Sequence, residues 1–446
     1  MSANAGLLSG NLGADAEQRA LTKVKRHLLT YIIVSQMFVQ IDRVNIGYAQ
    51  LTMSKELMIS ATAFGFAAGI FGLAAFFVQV PNALLFEKFG ARRWLTMLML
   101  SWGIVVILQA FVTNKYELIG LRFLLGAFES GYVPCLYVLI SLWFAGNQHG
   151  SAVAGLQLGV AASGVFGGPV AGWLLGQSLF GLTGWRTLFL AEGAVTVAWA
   201  LLALFLLYDN PGKAPWLSKD ERTFMAEHID RYQRQKAAVG AVEKQGFLHA
   251  LKDGRIIALI AAASCAGWVA ATFAFFIPIL LKTAAHGASN QTVGFLAMGP
   301  YFVMGLVAYF WSAHADRTRE RHWHCVIPLL VALAGVALFS IATGPVTAML
   351  CLAMVQAGST GFFVNFWPSC DMVVGKQTIA KTTSLIMSGN LLSNFMAPLV
   401  FGWLIDLTGG PALGLYVCIC VILINFTIMN VFFFTWKRRQ SRMAVQ

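Results

Sequence analysis

Twelve apolar segments punctuate the chain, at about residues 28–48, 61–86, 94–113, 118–144, 150–178 and 185–208, and again at 255–281, 291–313, 324–342, 346–369, 382–405 and 411–436. Each is close to the roughly 20 apolar residues that a helix needs to cross a bilayer. They form two sets of six, separated by a polar stretch at 209–254. Within that stretch LSKDERTFMAEHIDRYQRQ predicts a helix with Ser218 as N-cap and acids in its first turn. The first 20 or so residues, rich in Ala, Gly, Asn and Ser, lack the charged head, short apolar core and small-residue site of a signal peptide, and read as a disordered cytosolic tail. The pattern predicts an all-α membrane protein of twelve transmembrane helices in two six-helix bundles. Its parts are an N-terminal tail (1–27), a first bundle (28–208), a central cytosolic loop with a helix (209–254), a second bundle (255–436) and a C-terminal tail (437–446).

Composition agrees: 58% of residues are hydrophobic and 11% charged, against about 25% charged in ordinary soluble proteins. A net charge of +12 would suggest nucleic acid in a soluble domain, but here it is better read as a basic inner face. With loops assigned alternately to the two sides, 25 of the 31 Lys and Arg collect on one side. Lys55, Lys115, Arg186 and Lys282 fall on the other, and Arg43 and Arg122 inside segments. The asymmetry places both termini in the cytosol and the chain in the inner, cytoplasmic membrane. The seven cysteines lie in or beside apolar runs without ligand-like spacing to His, so neither disulfides nor a metal site is indicated, and no cofactor is implied. The halves repeat weakly: FEKFGARR after the second segment and ADRTRER after the eighth place Glu87 and Asp316 229 residues apart. Parallel repeats of this kind put a site between the bundles near the midplane.

Ionisable groups in the bilayer centre cost about 2.5–3.5 kcal/mol on insertion scales. Asp42 and Arg43 nevertheless stand inside the first segment, and Arg122 and Glu129 inside the fourth. Arg122 and Glu129 are two turns apart and share a face. Asp42 and Glu129 each lie 15 residues from the inner end of their segment, so the carboxyls share one slab, with Arg122 about two turns nearer the outside. Ion pairs that merely hold helices together are the weaker reading, because small apolar residues would serve at less cost. The stronger reading is a water-accessible cavity in which Arg43 and Arg122 attract an anion while Asp42 and Glu129 load and release protons. A carboxyl screened from water favours its neutral form unless an arginine holds it ionised; an anion that draws Arg122 from Glu129 therefore couples its own binding to a proton's. The second half lacks these charges. It offers Asn365, Trp367 and Ser369 on segment 10, Ser388, Asn390 and Asn394 on segment 11, and an aromatic cluster beside a kink at Phe275, Phe276 and Pro278, read as core packing or a gate.

At these residues the chain resembles the major facilitator superfamily, and within it the anion:cation symporter family of organic-acid permeases. The matching stretches are DRVNIGYA, VPNALLFEKFGARRW, LRFLLGAFESGYVP, FLAEGAVTV, DNPGKAPWLSKDER, ADRTRERHWH and SGNLLSNFMAP, spread over nearly the whole length. The resemblance implies the major facilitator fold and proton-coupled uptake of a small organic anion by alternating access. Proton coupling then falls on Asp42 and Glu129, and substrate binding on Arg43, Arg122, Asn390, Asn394, Gln157 and Trp367. Glu87, Arg92, Arg93, Asp316, Arg317 and Arg321 would be gating latches at the cytosolic face. The partners are the anion, protons and the lipid bilayer, without nucleic acid, and the protein is expected to act as a monomer. Ala75 and Gln79 replace a Tyr and an acid common in relatives, and Val160 replaces a Gln of sugar-acid transporters, although Gln157 is one turn away. The more apolar cavity favours an aromatic or small hydroxy- or dicarboxylic acid. A sugar-acid symporter and an organic anion exporter or exchanger are the alternatives. No enzyme is expected, since no nucleophilic triad, His cluster or phosphate-cradling loop is present; a receptor is disfavoured by the short outer loops.

Overall fold

A computed structural model describes residues 17–145, 147–238, 253–373 and 379–443. The first half contains α1 (Thr30–Glu56), α2 (Ala61–Phe89), α3 (Ala91–Gln109), α4 (Lys115–Glu129), α5 (Tyr132–Trp143), α6 (Asn147–Leu174) and α7 (Trp185–Leu206). Then come the loop helix α8 (Lys219–Ala238) and α9 (Gly254–Ala284), α10 (Asn290–Thr318), α11 (His322–Phe339), α12 (Pro345–Val373), α13 (Ile379–Thr408) and α14 (Ala412–Met443). Among the described residues, eleven runs are long and apolar enough to span a bilayer, with α4 and α5 forming one. The twelfth span is α1, long enough but diluted by Gln36, Gln40, Asp42, Arg43 and Asn45. It also starts earlier than its apolar core suggests, continuing back through a π turn at Lys25–Leu29 to helical residues 17–24.

The fourth span breaks between α4 and α5 for two local reasons. Pro134 has no N–H to give the Ser130 carbonyl, and the Asn82 amide of α2 inserts to donate to the Ala127 carbonyl at 3.2 Å. The break falls directly after Glu129.

The central loop docks on the first bundle. Trp216 is stacked between His27, with ring centroids 4.5 Å apart, and Trp143 at 5.7 Å. Ser218 caps α8 as predicted: its Oγ accepts from the Glu221 N–H at 3.3 Å while its own N–H donates to Glu221 Oε2 at 2.8 Å, a reciprocal capping box. Lys23 donates to both Glu221 oxygens at 2.9 and 2.8 Å. Burial opposes ionisation of Glu221, but the Lys23 ammonium and the Ser218 N–H outweigh it and hold the carboxyl below the usual range.

Close approaches between the bundles lie in the half away from the termini. At the α6–α10 crossing Gly168 and Gly294 face each other; a Cβ on Gly168 would stand 2.7 Å from the Gly294 carbonyl oxygen. At the α2–α13 crossing Asp406 accepts from the backbone N–H of Ala61 at 3.0 Å and of Thr62 at 2.8 Å, and from the Thr62 hydroxyl at 2.5 Å. The aromatic cluster joins this seam, because Phe276 lies between Phe64 of α2 and Phe401 of α13 at centroid distances of 5.4 and 4.6 Å. The molecule is closed on the face opposite the termini.

Candidate functional site

Consecutive residues on a helix point about 100° apart, which sends Asp42 and Arg43 to different neighbours. Arg43 turns to α4, where its Nε and Nη2 donate to Glu129 Oε1 at 2.8 and 2.6 Å. Glu129 is fully buried, whereas the Arg43 side chain keeps 30% of its surface open. Asp42 turns into the bundle core, where Oδ2 accepts from Trp102 Nε1 of α3 at 3.0 Å and Thr196 Oγ1 of α7 at 2.8 Å. Arg122, fully buried, donates Nη2 to the Arg43 carbonyl at 2.9 Å and Nη1 to the Asp42 carbonyl at 3.4 Å. The Phe71 ring of α2 lies under both guanidiniums, 4.7 Å from Arg43 and 6.0 Å from Arg122. Gly126 makes that approach possible, since a Cβ there would stand 2.6 Å from the Phe71 carbonyl oxygen.

The four charges are therefore gathered at one point of α1, with one correction to the sequence reading. The cation on Glu129 is Arg43, while Arg122 is spent on α1 carbonyls, so the guanidinium that an anion would draw from Glu129 is that of Arg43. Asp42 and Glu129 share a level, but they face different helices. Glu129 Oε2, Asp42 Oδ1 and Arg122 Nε make no hydrogen bond among the described residues.

The second bundle contributes less than expected. Asn390 donates to the Ala263 carbonyl of α9 at 3.0 Å, and Asn394 to Asn390 Oδ1 at 3.3 Å, forming a short amide chain on α13. Asn365 and Ser369 are buried in helix packing: Asn365 Oδ1 accepts from Arg321 at 3.2 Å, and Ser369 donates to the Asn365 carbonyl at 2.7 Å. Trp367 is half-buried, edge-on to Phe366 at 5.4 Å. Gln157 is exposed on α6, and the Gln79 side chain is outside the described residues. Among the latch residues, Arg92 donates to the Leu204 carbonyl and its backbone N–H to Asp209 at 3.0 Å, while Arg321 pairs with Asp316 at 2.6 Å. These contacts stay within one half of the chain. Glu87, Arg93 and Arg317 are exposed.

The sequence reading missed Phe71, Trp102, Thr196 and, most consequentially, Glu192. This last acid is buried on α7, with Asn45 Nδ2 donating to its Oε2 at 3.0 Å. Its signal was a fifth ionisable residue inside an apolar segment, four residues before Thr196.

Two bundles of six spans closed over one face, with paired charges buried in the first, define a membrane transporter rather than an enzyme. Residues 32–398 match the family described as Major Facilitator Superfamily, and the chain belongs to it. Among similar proteins is an Agrobacterium vitis protein named "Putative tartrate transporter", 34% identical over 91% of this chain and 92% of that one. Another is a "Quinolone resistance transporter" of Acinetobacter baumannii, 29% identical over 96% and 98%. The fold is similar to that of a bacterial homologue of the human lysosomal transporter Spinster solved in an inward-facing, unoccupied conformation. That match has a TM-score of 0.72 and 16% identity and covers 93% of this chain and 97% of that one.

Proposed function

We propose that the protein is a secondary active transporter of the cytoplasmic membrane that takes up an organic carboxylate together with protons by alternating access, with both termini cytosolic. The supporting observation is the Arg43–Glu129 pair, two charge-assisted bonds on a buried carboxylate whose cation is partly open. An incoming carboxylate competes for the Arg43 fork. Glu129 then loses its cation in a low-dielectric site, where an unpaired charge is costly, and taking a proton removes that charge. Anion and proton thus bind together and leave together. Arg122 holds the α1 backbone in register beneath the site, and Asn390 and Asn394 offer amides from the second bundle to the far end of the anion. The relative named for tartrate puts a hydroxylated dicarboxylate first among candidates, with aromatic acids next. The latch residues at the terminal face fit helix ends that exchange partners as the bundles rock.

The test is transport in proteoliposomes with labelled tartrate and a panel of aromatic acids. An inward proton gradient is expected to drive accumulation that a protonophore collapses. Glu129→Gln is expected to retain exchange and lose accumulation, and undiminished accumulation would remove Glu129 from the coupling. The relative named for quinolone resistance favours a second reading, export; the discriminating result is extrusion from preloaded vesicles driven by an inward proton gradient.

A further inference from the structure

Glu192 has no part in the mechanism above. The residue is 8% exposed, Asn45 is the donor to Oε2, and Oε1 is buried and makes no hydrogen bond among the described residues. The titratable groups close enough to act on it electrostatically are Asp42 and Tyr48 of α1. Residues 94–109 of α3 and 150–174 of α6, the other helices packed on α7, contain no ionisable side chain. Among the described residues no cation is paired with it. An ionised carboxylate without a cation in such a place costs several kcal/mol.

Its position connects it to the closed face. Tyr48, one turn beyond Asn45 on α1, reaches the α6–α10 seam, where the Tyr301 ring of α10 packs on Gly164 of α6. A Cβ on Gly168 would stand 2.9 Å from the Tyr48 hydroxyl. Through Asn45 and Tyr48, on successive turns of α1, Glu192 is linked to the α6–α10 seam, which parts when that face opens. We propose that Glu192 is a proton-binding site linked to closure of the face opposite the termini. Its carboxylate takes one proton from water at the open seam, giving the neutral acid that the shut seam can bury, and returns it to the same side on reopening. Because that proton goes back where it came from, the site biases which face is open without changing the number of protons carried per anion. This inference rests on alternating access but not on symport.

The experiment uses the full-length protein in lipid nanodiscs with spin labels at Met58 and Thr408, on the two sides of the closed face, and reads their separation against pH. One linked proton changes the closed-to-open ratio by at most tenfold per pH unit. The wild type is expected to shift toward the short separation as pH falls, whereas Glu192→Gln, a neutral isostere, is expected to remain short throughout. A pH response in Glu192→Gln equal to that of the wild type overturns the proposal. Asn45→Leu supplies a second arm, because it keeps the acid and removes its donor. Its closure midpoint is expected to move, and an unmoved midpoint also overturns the proposal. Tartrate accumulation is measured in parallel. Accumulation without a pH response in the labels sinks the Glu192 site alone, and the reverse result sinks the symport reading alone.

Discussion

Arg43 and Glu129 are best judged together. Removing one partner of a buried pair costs about 3–5 kcal/mol, whereas replacing both with well-packed apolar groups is often neutral. Arg43→Met is expected toward the lower end of that range, because the guanidinium is partly open, and the double change with Glu129→Leu is expected to recover most of the loss. Thermal unfolding of the purified protein checks this; equal losses in the single and double variants would show that the pair is not coupled. Substituting Trp102 with Phe leaves Thr196 as the donor to Asp42 and is expected to cost about 1–3 kcal/mol in the same assay. The charges themselves were legible in the sequence because so few occur within apolar segments. Their pairing was not, since residue spacing gives depth along each helix but not which neighbour lies on each side. Glu192 escaped because no opposite charge stands beside it inside its segment, and its donor, Asn45, comes from another helix.

The helices were predicted from apolar runs, and their interiors follow that pattern; their ends and breaks depend on partners distant in sequence. The division of the fourth span needs Asn82 of α2 as well as Pro134, and the early start of α1 reflects the loop docked against it. Asp406 is another such partner, a C-terminal-half carboxylate that satisfies the first N–H groups of α2, where an acid is favoured by the helix dipole. Losing a side-chain cap costs roughly 0.5–2 kcal/mol. Because this cap crosses between bundles, Asp406→Ala is expected to shift the population toward opening on that face by about that amount. Spin labels at Met58 and Thr408 read it as a longer separation, and an unchanged distribution would mean that the cap carries no part of the closure.

At the scale of the molecule, the loop travels with the first bundle through the Trp216 stack and the Lys23–Glu221 clamp. The Glu221 carboxyl is held below its ordinary value of 4.5. Its contribution is therefore complete above that value and fades as pH falls through the lower, folded-state one. Amide exchange in α8 is expected to accelerate as acid reaches that range, and Lys23→Ala should bring the change on at higher pH. An equal onset in both proteins would leave the clamp without effect. The two-bundle plan was visible in segment count and charge asymmetry, but the closed face was not, because apolar periodicity does not record which helices of opposite bundles touch. Where Gly168 meets Gly294, that face shuts on bare backbone. A single methyl at either position is therefore a wedge. It would hold the molecule with that face open, a stationary target against which antibodies to the opened shape could be raised.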